Sequence, residues 1–348
     1  MNRCFTLARR GTGAVSPNPL VGAILVHGGR IIGEGYHARY GGPHAEVNCL
    51  ASVSEQDREY VQHSTLYVSL EPCCIYGRTP PCTDLIIRHQ IPRVVASVTD
   101  ATAEVNGRGV SLLRAAGVEV TIGILAKEGR RLVAPREVFV TLNRPYILLK
   151  YAQSADGRLA PADPAADGWI TSPLSRRYVH RLRAATGAIL IGARTLVQDD
   201  PALDIRYGES THRLPLAVVW CTRPAELPPS RRLWQRPPGS LLLAAPGPLP
   251  SLLADRPGDF LSLPADPAGQ LDALLAELHR RRINHLTVEG GAATLRAFIA
   301  AGHWDEVLQF TGTSTWFGNG PAAPTLPGPV HENRSWGADR VIRCLAHR

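Results

Sequence analysis

His44-Ala45-Glu46, Glu71-Pro72-Cys73 and Pro80-Pro81-Cys82 constrain the fold of this chain more than any other feature. They bring one imidazole, two thiols and a carboxylate. Catalytic zinc is held by three protein ligands of this kind, with the fourth position left for water and a Glu outside the ligand set moving protons. For His44, Cys73 and Cys82 to converge, the end of the apolar strand Thr65 to Leu70 must lie against the starts of two helices, His44 to Val53 and Pro81 to His89. His44 and Glu46 stand two apart in one helical turn, so one can hold the metal while the other reaches the substrate side. Cys82, at a helix start, is the thiol whose pKa the helix dipole should lower. Buried cysteines and a satisfied histidine would account for any one of these residues alone but not for the set. Cys74 is set aside as a ligand because adjacent cysteines rarely bind one ion together.

At 348 residues, with 44% hydrophobic and 20% charged residues, the chain suits two globular cores. No apolar run is long enough to cross a bilayer, and Met1-Asn2-Arg3-Cys4-Phe5 leads into Arg9-Arg10 rather than a signal-peptide core, so a cytoplasmic location without membrane contact is expected. Seven cysteines without disulfide-like spacing agree with that compartment. The net charge of +8 suits an anionic small molecule. Nucleic acid is not expected, because aromatics make up only 6% of the chain and the arginines are scattered through both halves. Lys127 and Lys150 are the only lysines, and Lys150 on an apolar strand hints at a specific role. A homo-oligomer is left open.

Along the chain, Asn2 to Arg10 reads as a short helix, and Val21 to Val26 with Arg30 to Gly35 as a β-hairpin turning at His27-Gly28-Gly29. Strands at Arg93 to Val98 and Val118 to Ile122 flank a helix at Gly109 to Ala116. Strands alternating with helices make an α/β sheet covered on both faces. Glu137 to Arg144 marks the boundary between domains 1–143 and 144–348. The second series has strands at Tyr146 to Ala152, Ala188 to Ile191, Leu216 to Trp220, Leu241 to Ala244 and His285 to Val288. Its helices are Pro173 to Ala185, Asp266 to Arg281 and Ala292 to Ala301. Pro224 to Pro238 and Pro246 to Pro267 read as surface loops, and the tail after Phe317 is weakly patterned. Glu289-Gly290-Gly291 between strand and helix leaves backbone N–H groups for a phosphate, or is a plain turn. Polar residues at neighbouring strand ends, with Thr195 and Asp199 among them, lie where α/β sheets bind ligands.

Pro17-Asn18-Pro19-Leu20-Val21-Gly22, His44-Ala45-Glu46, Gly77-Arg78-Thr79-Pro80-Pro81-Cys82, Trp169-Ile170-Thr171-Ser172 and Asp199-Asp200-Pro201-Ala202-Leu203 together resemble the bifunctional riboflavin-biosynthesis deaminase/reductase family along nearly the whole chain. The resemblance implies a cytidine-deaminase-like α/β/α sandwich followed by a dihydrofolate-reductase-like α/β domain. It implies zinc-dependent deamination of a phosphoribosylaminopyrimidine, then NADPH-dependent reduction of ribosyl to ribityl. It assigns the metal to His44, Cys73 and Cys82, and catalysis to Glu46. Cofactor contacts fall to Ala152, Trp169, Thr195, Asp199, Gly290 and Gly291, and substrate contacts to Asn18, Arg78, Arg183, Leu203, Arg206 and Glu289. The chain departs from the family pattern at Cys74-Ile75, where Ser-His is usual, at Thr102, and at Ala217 and Cys221. Two alternatives follow: a paralogue in specialised metabolism, deaminating a related pyrimidine or purine with an impaired reductase, or a non-catalytic ligand-binding protein. Glu46 argues against the second, since a structural zinc site needs no spare acid.

Overall fold

The computed structural model describes residues 1–77, 79–163, 166–207, 214–249 and 258–346. Its contacts divide the chain into Met1–Arg144 and Pro145–Arg348.

The first unit is a five-stranded sheet with helices on both faces. Its strands are β1 (Gly22–His27), β2 (Arg30–Tyr36), β3 (Thr65–Val68), β4 (Arg93–Ala96) and β5 (Glu119–Ile122), in the order β2-β1-β3-β4-β5. The hairpin β1–β2 turns on Gly28 and Gly29, whose φ of 53° and 79° side-chain-bearing residues rarely adopt. Alternation along β1 sends Ala23 and Leu25 into the main core, while Ile24 packs with Cys4 and Leu7 of α1 (Asn2–Ala8). Helix α2 (Ala45–Ala51) presses so closely on β2 that a Cβ at Gly35 would meet the Cys49 nitrogen at 2.2 Å. That contact fixes where α2 begins, and so where His44 and Glu46 stand. α3 (Cys82–Arg88) and α4 (Arg108–Ala115) follow β3 and β4. α5 (Ala126–Thr141) occupies a stretch in which the sequence reading placed no helix. Pro135 lies inside it, a residue that normally ends a helix, and burial of Val133, Val138 and Phe139 overrides that signal.

The second unit is built on a nine-stranded sheet. Its strands are β6 (Tyr146–Ser154), β7 (Ala188–Gly192), β8 (Leu216–Trp220), β9 (Leu241–Pro246), β10 (Asp259–Leu263), β11 (His285–Val288), β12 (Glu306–Gly312), β13 (Val330–Trp336) and β14 (Asp339–Leu345). In the order β10-β9-β8-β7-β11-β6-β12-β14-β13, strands β10 through β12 are parallel, and β14 and β13 add an antiparallel edge. The inner strands β7, β8, β9 and β11 are largely apolar and buried on both faces, as burial between helix layers requires. They are covered by α6 (Pro173–Ala185), α7 (Ala193–Asp199), α8 (Pro267–Arg280) and α9 (Ala292–Ala300).

Three expectations fail here. β10 lies in the stretch read as loop, and the weakly patterned tail forms β13 and β14. The segment Pro224 to Pro238 is not merely surface: Leu233 and Trp234 are buried against the sheet. Beside them Arg236 donates to the carbonyls of Ala202, Leu203, Pro215 and Ser240, which replaces its lost water.

The edge hairpin is tied in by buried Asp339, whose Oδ2 accepts from the Ser172 N–H at 2.9 Å, from Ser172 Oγ at 2.7 Å and from Ser175 Oγ. Ser172 is itself the N-cap of α6. Asp339→Ala strands these donors and is expected to cost about 2–4 kcal/mol in urea unfolding of the chain. A loss below the error of that measurement would show the hairpin is held by something else.

Candidate functional sites

In the first unit β3 runs into Leu70-Glu71-Pro72-Cys73, and Glu71 fixes that turn. Its Oε2 accepts from the N–H groups of Asp100 and Gly107, and its Oε1 from that of Val110. His44 is the N-cap of α2 with extended backbone, Glu46 is the second residue of that helix, and Cys82 opens α3. His44 Nδ1 lies 3.4 Å from both Cys73 Sγ and Cys82 Sγ. Zn–S of about 2.3 Å and Zn–N of about 2.0 Å at a tetrahedral angle separate N and S by about 3.5 Å, so the trio fits one zinc ion. Among the described residues this is the one His/Cys/Asp/Glu group with ligand atoms close enough to hold a metal. His44 Nε2 lies 3.4 Å from Thr79 Oγ1, which can orient the ring. Cys74 turns away, its thiol on the Glu104 carbonyl.

One backbone donor is placed differently from the expectation. The N–H of Cys82, at the start of α3, points at Cys73 Sγ rather than at its own thiol. Hydrogen bonding from the Cys82 side chain, with His44 and the Cys82 N–H adding to it against burial, lowers the pKa of the Cys73 thiol. Cys82 is pushed up by Cys73 and by burial. Glu46 is buried, and burial together with the charge of Cys73 raises its carboxyl to about 7. His44, Glu46 and Cys73 line a cavity of about 260 Å³ whose wall also carries Asn18 and His37. His37 Nδ1 donates to the Pro43 carbonyl at 2.9 Å, so Nε2 accepts from Asn18 Nδ2 at 3.1 Å. That fixes the Asn18 amide with its oxygen left for a ligand. Arg78 lies outside the described residues.

In the second unit Arg183, in the last turn of α6, meets Glu289, just past β11, in a bidentate pair with both contacts at 2.8 Å. Arg183 also donates to the Asp204 carbonyl, and Arg206 pairs with the Asp204 carboxylate. Burial opposes ionisation of Glu289, but Arg183, helped by Lys150 and His180, draws it down to about 2. Lys150, on β6, is lowered by burial and lies with Nζ 5.8 Å from the centre of the Phe310 ring. Thr195 Oγ1 accepts from the Gly291 N–H at 3.1 Å, so this amide of the glycine turn is already taken. The first turn of α9 has no side-chain cap, and a Cβ at Gly290 would meet Thr294 at 2.8 Å. Trp169 is exposed under Arg176, Asp199 ends α7, and Ala152 pairs with Phe310 across β6 and β12. The Leu203 side chain is buried in the core, and its carbonyl accepts from Arg236.

The family model described as the cytidine and deoxycytidylate deaminase zinc-binding region matches residues 1–98. The model of the RibD C-terminal domain matches residues 145–336. The riboflavin biosynthesis protein RibD of Aquifex aeolicus is 38% identical over 89% of this chain and 85% of its own. The chain belongs to the RibD family. A solved RibD from Acinetobacter baumannii has a TM-score of 0.85 at 32% identity, covering 100% of this chain and 98% of its own. A Thermotoga maritima structure described as a diaminohydroxyphosphoribosylaminopyrimidine deaminase/5-amino-6-(5-phosphoribosylamino)uracil reductase gives 0.85 at 31%, covering 99% and 96%. The two-domain α/β fold expected from sequence, deaminase-like and then reductase-like, holds.

Within this RibD relative the departures fall in different places. Ile75 and Thr102 line the cavity. Ala217 and Cys221 are buried in the core of the second unit, packed with Leu243 and Ala245. Sequence reasoning gave no site role to His37, which is an isolated histidine until the fold brings Asn18 and Pro43 to its two nitrogens. Lys150 carried a signal, as one of two lysines in an arginine-rich chain, but its neighbours were not readable.

Proposed function

We propose that this chain performs two steps of riboflavin biosynthesis: hydrolytic deamination of a phosphoribosylaminopyrimidine at the first site, and NADPH-dependent reduction of the ribosyl group to ribityl at the second. The observation carrying the reading is the three-ligand set of His44, Cys73 and Cys82 with the non-ligand acid Glu46 buried beside it. The family supplies the second activity.

Bound zinc lowers the pKa of a water molecule so that hydroxide is available near neutral pH. Glu46 takes the proton released at a carboxylate oxygen and passes it to the departing amine, which leaves as ammonia. His37 holds the Asn18 amide so that it can accept a hydrogen bond from the pyrimidine. In the second unit the open first turn of α9 and the small Gly290 fit a dinucleotide phosphate, and the nicotinamide supplies hydride when bound. The hydride acceptor is the sugar carbon bearing nitrogen, and Arg183 and Glu289 meet the sugar-phosphate substrate, the carboxylate as an acceptor for a sugar hydroxyl. A small phosphorylated molecule is the partner rather than nucleic acid, as a cavity of about 260 Å³ supports. The seven cysteines are free, which supports a cytoplasmic location. Among the described residues no helix is long and apolar enough to cross a membrane.

Mass spectrometry of the phosphoribosylaminopyrimidine after incubation with zinc-loaded protein separates the steps, because deamination and reduction change the mass differently. Deamination is expected without NADPH and reduction only with it. No mass change in either mixture would reject the reading, and deamination alone would reject its second half.

A further inference from the structure

The cavity over the metal ligands has one described Lys or Arg side chain in its wall, and it comes from α5 rather than from either zinc motif. Arg136 is half-buried there. Its Nη2 donates to Thr102 Oγ1 over a long 3.4 Å, while its Nε is shielded from water and has no hydrogen-bond partner. Asp100 and Glu104 lie near enough to offset part of the charge through space, yet no ion pair is formed among the described residues. Asp100 Oδ1 is instead spent on the Thr102 N–H at 2.7 Å.

Withdrawing a guanidinium from water costs several kcal/mol unless an anion and hydrogen bonds replace the solvent. Its planar fork of N–H groups matches the oxygens of a phosphate, and the contact is strong where water is excluded. The wall also carries Asp100 and Glu71, whose carboxylates accept from backbone N–H groups, and the apolar Ile75 and Val105 beside Thr102, so Arg136 is the one described Lys or Arg there for an anion. Arg136 is therefore ready for an anionic ligand group in the same cavity as Glu46.

We propose that Arg136 is the phosphate-recognition residue of the deaminase cavity, its Nη–H groups donating to the phosphate monoester of the substrate. This rests on the deaminase reading and adds to it: the enzyme selects the ribotide over the riboside through a residue outside the zinc motifs.

The test compares the deaminated product as its phosphate ester and as the free riboside. Each is titrated into the cobalt(II)-substituted full chain and followed by the visible absorption of the metal, a signal from this cavity alone. The unmodified protein is expected to bind the phosphate ester ~10–100-fold more tightly, the range of a charged hydrogen-bonded contact. Arg136→Met should lose most of that preference, and Arg136→Lys should keep part of it. Equal weakening of both ligands in Arg136→Met, or an unchanged preference, would overturn the proposal, as would no preference in the unmodified protein. If the Met variant does not fold, Arg136→Gln, which keeps a donor for Thr102, decides in the same way. Turnover is scored separately: a chain that binds the ester through Arg136 but deaminates neither compound keeps this inference and loses the deaminase reading.

Discussion

Glu46→Gln is expected to keep its zinc and to lower the rate of deamination by about 10³-fold or more, at the upper part of the range for losing a general acid–base group. Gln fills the same buried volume at the second position of α2, so His44, one residue before the helix, should keep its place against Cys73 and Cys82. What disappears is the oxygen that takes a proton from water and returns it to the amine. Metal analysis gives the first half of the result and product mass the second. A variant turning over at the wild-type rate would remove Glu46 from the mechanism, and one that loses zinc would make Glu46 a structural support of the ligand set.

The zinc set was legible in the sequence because its chemistry needs residue types that are costly to bury for any other reason. The order strand, turn, helix around Cys73 and Cys82 was enough to bring them together. Where the first backbone N–H of α3 points was not legible: the helix start that seemed to serve Cys82 points at Cys73.

The elements that escaped the reading share a physical cause: their local pattern opposes their structure and tertiary contacts decide. α5 carries Pro135 inside it, and Arg136, the one described cation of the cavity wall, follows directly. Its role could not be read before the helix was known. β13 runs Val330-His331-Glu332-Asn333-Arg334-Ser335-Trp336, mostly exposed, and lacks the apolar alternation that marks a strand. It pairs only with β14, which Asp339 anchors to α6 from a distance of 167 residues.

Glu289→Gln is the second large effect, expected first in stability. Arg183 and Glu289 keep only 13% and 9% of their side-chain surface exposed, and Lys150 and His180 face the same carboxylate. Removing one partner of a buried pair leaves an uncompensated charge and costs about 3–5 kcal/mol. Lys150 can shed its proton and soften the penalty, whereas Arg183 cannot, so the lower end of that range is expected. An independent route gives the same size: holding a carboxyl at about 2 instead of its ordinary 4.5 is worth about 3 kcal/mol. The sign follows, because a lowered folded-state pKa gives stability that is complete above about 4.5 and is lost as the pH falls through 2. The difference between wild type and Glu289→Gln should therefore be largest near neutral pH and shrink in acid, where protonated Glu289 imitates the variant. All six tryptophans, from Trp169 to Trp336, lie in the second unit, so their fluorescence during urea unfolding reports that unit alone. A stability difference that stays constant between pH 7 and 3 would mean the carboxylate is not held by the cations around it, and that the pair contributes shape rather than charge.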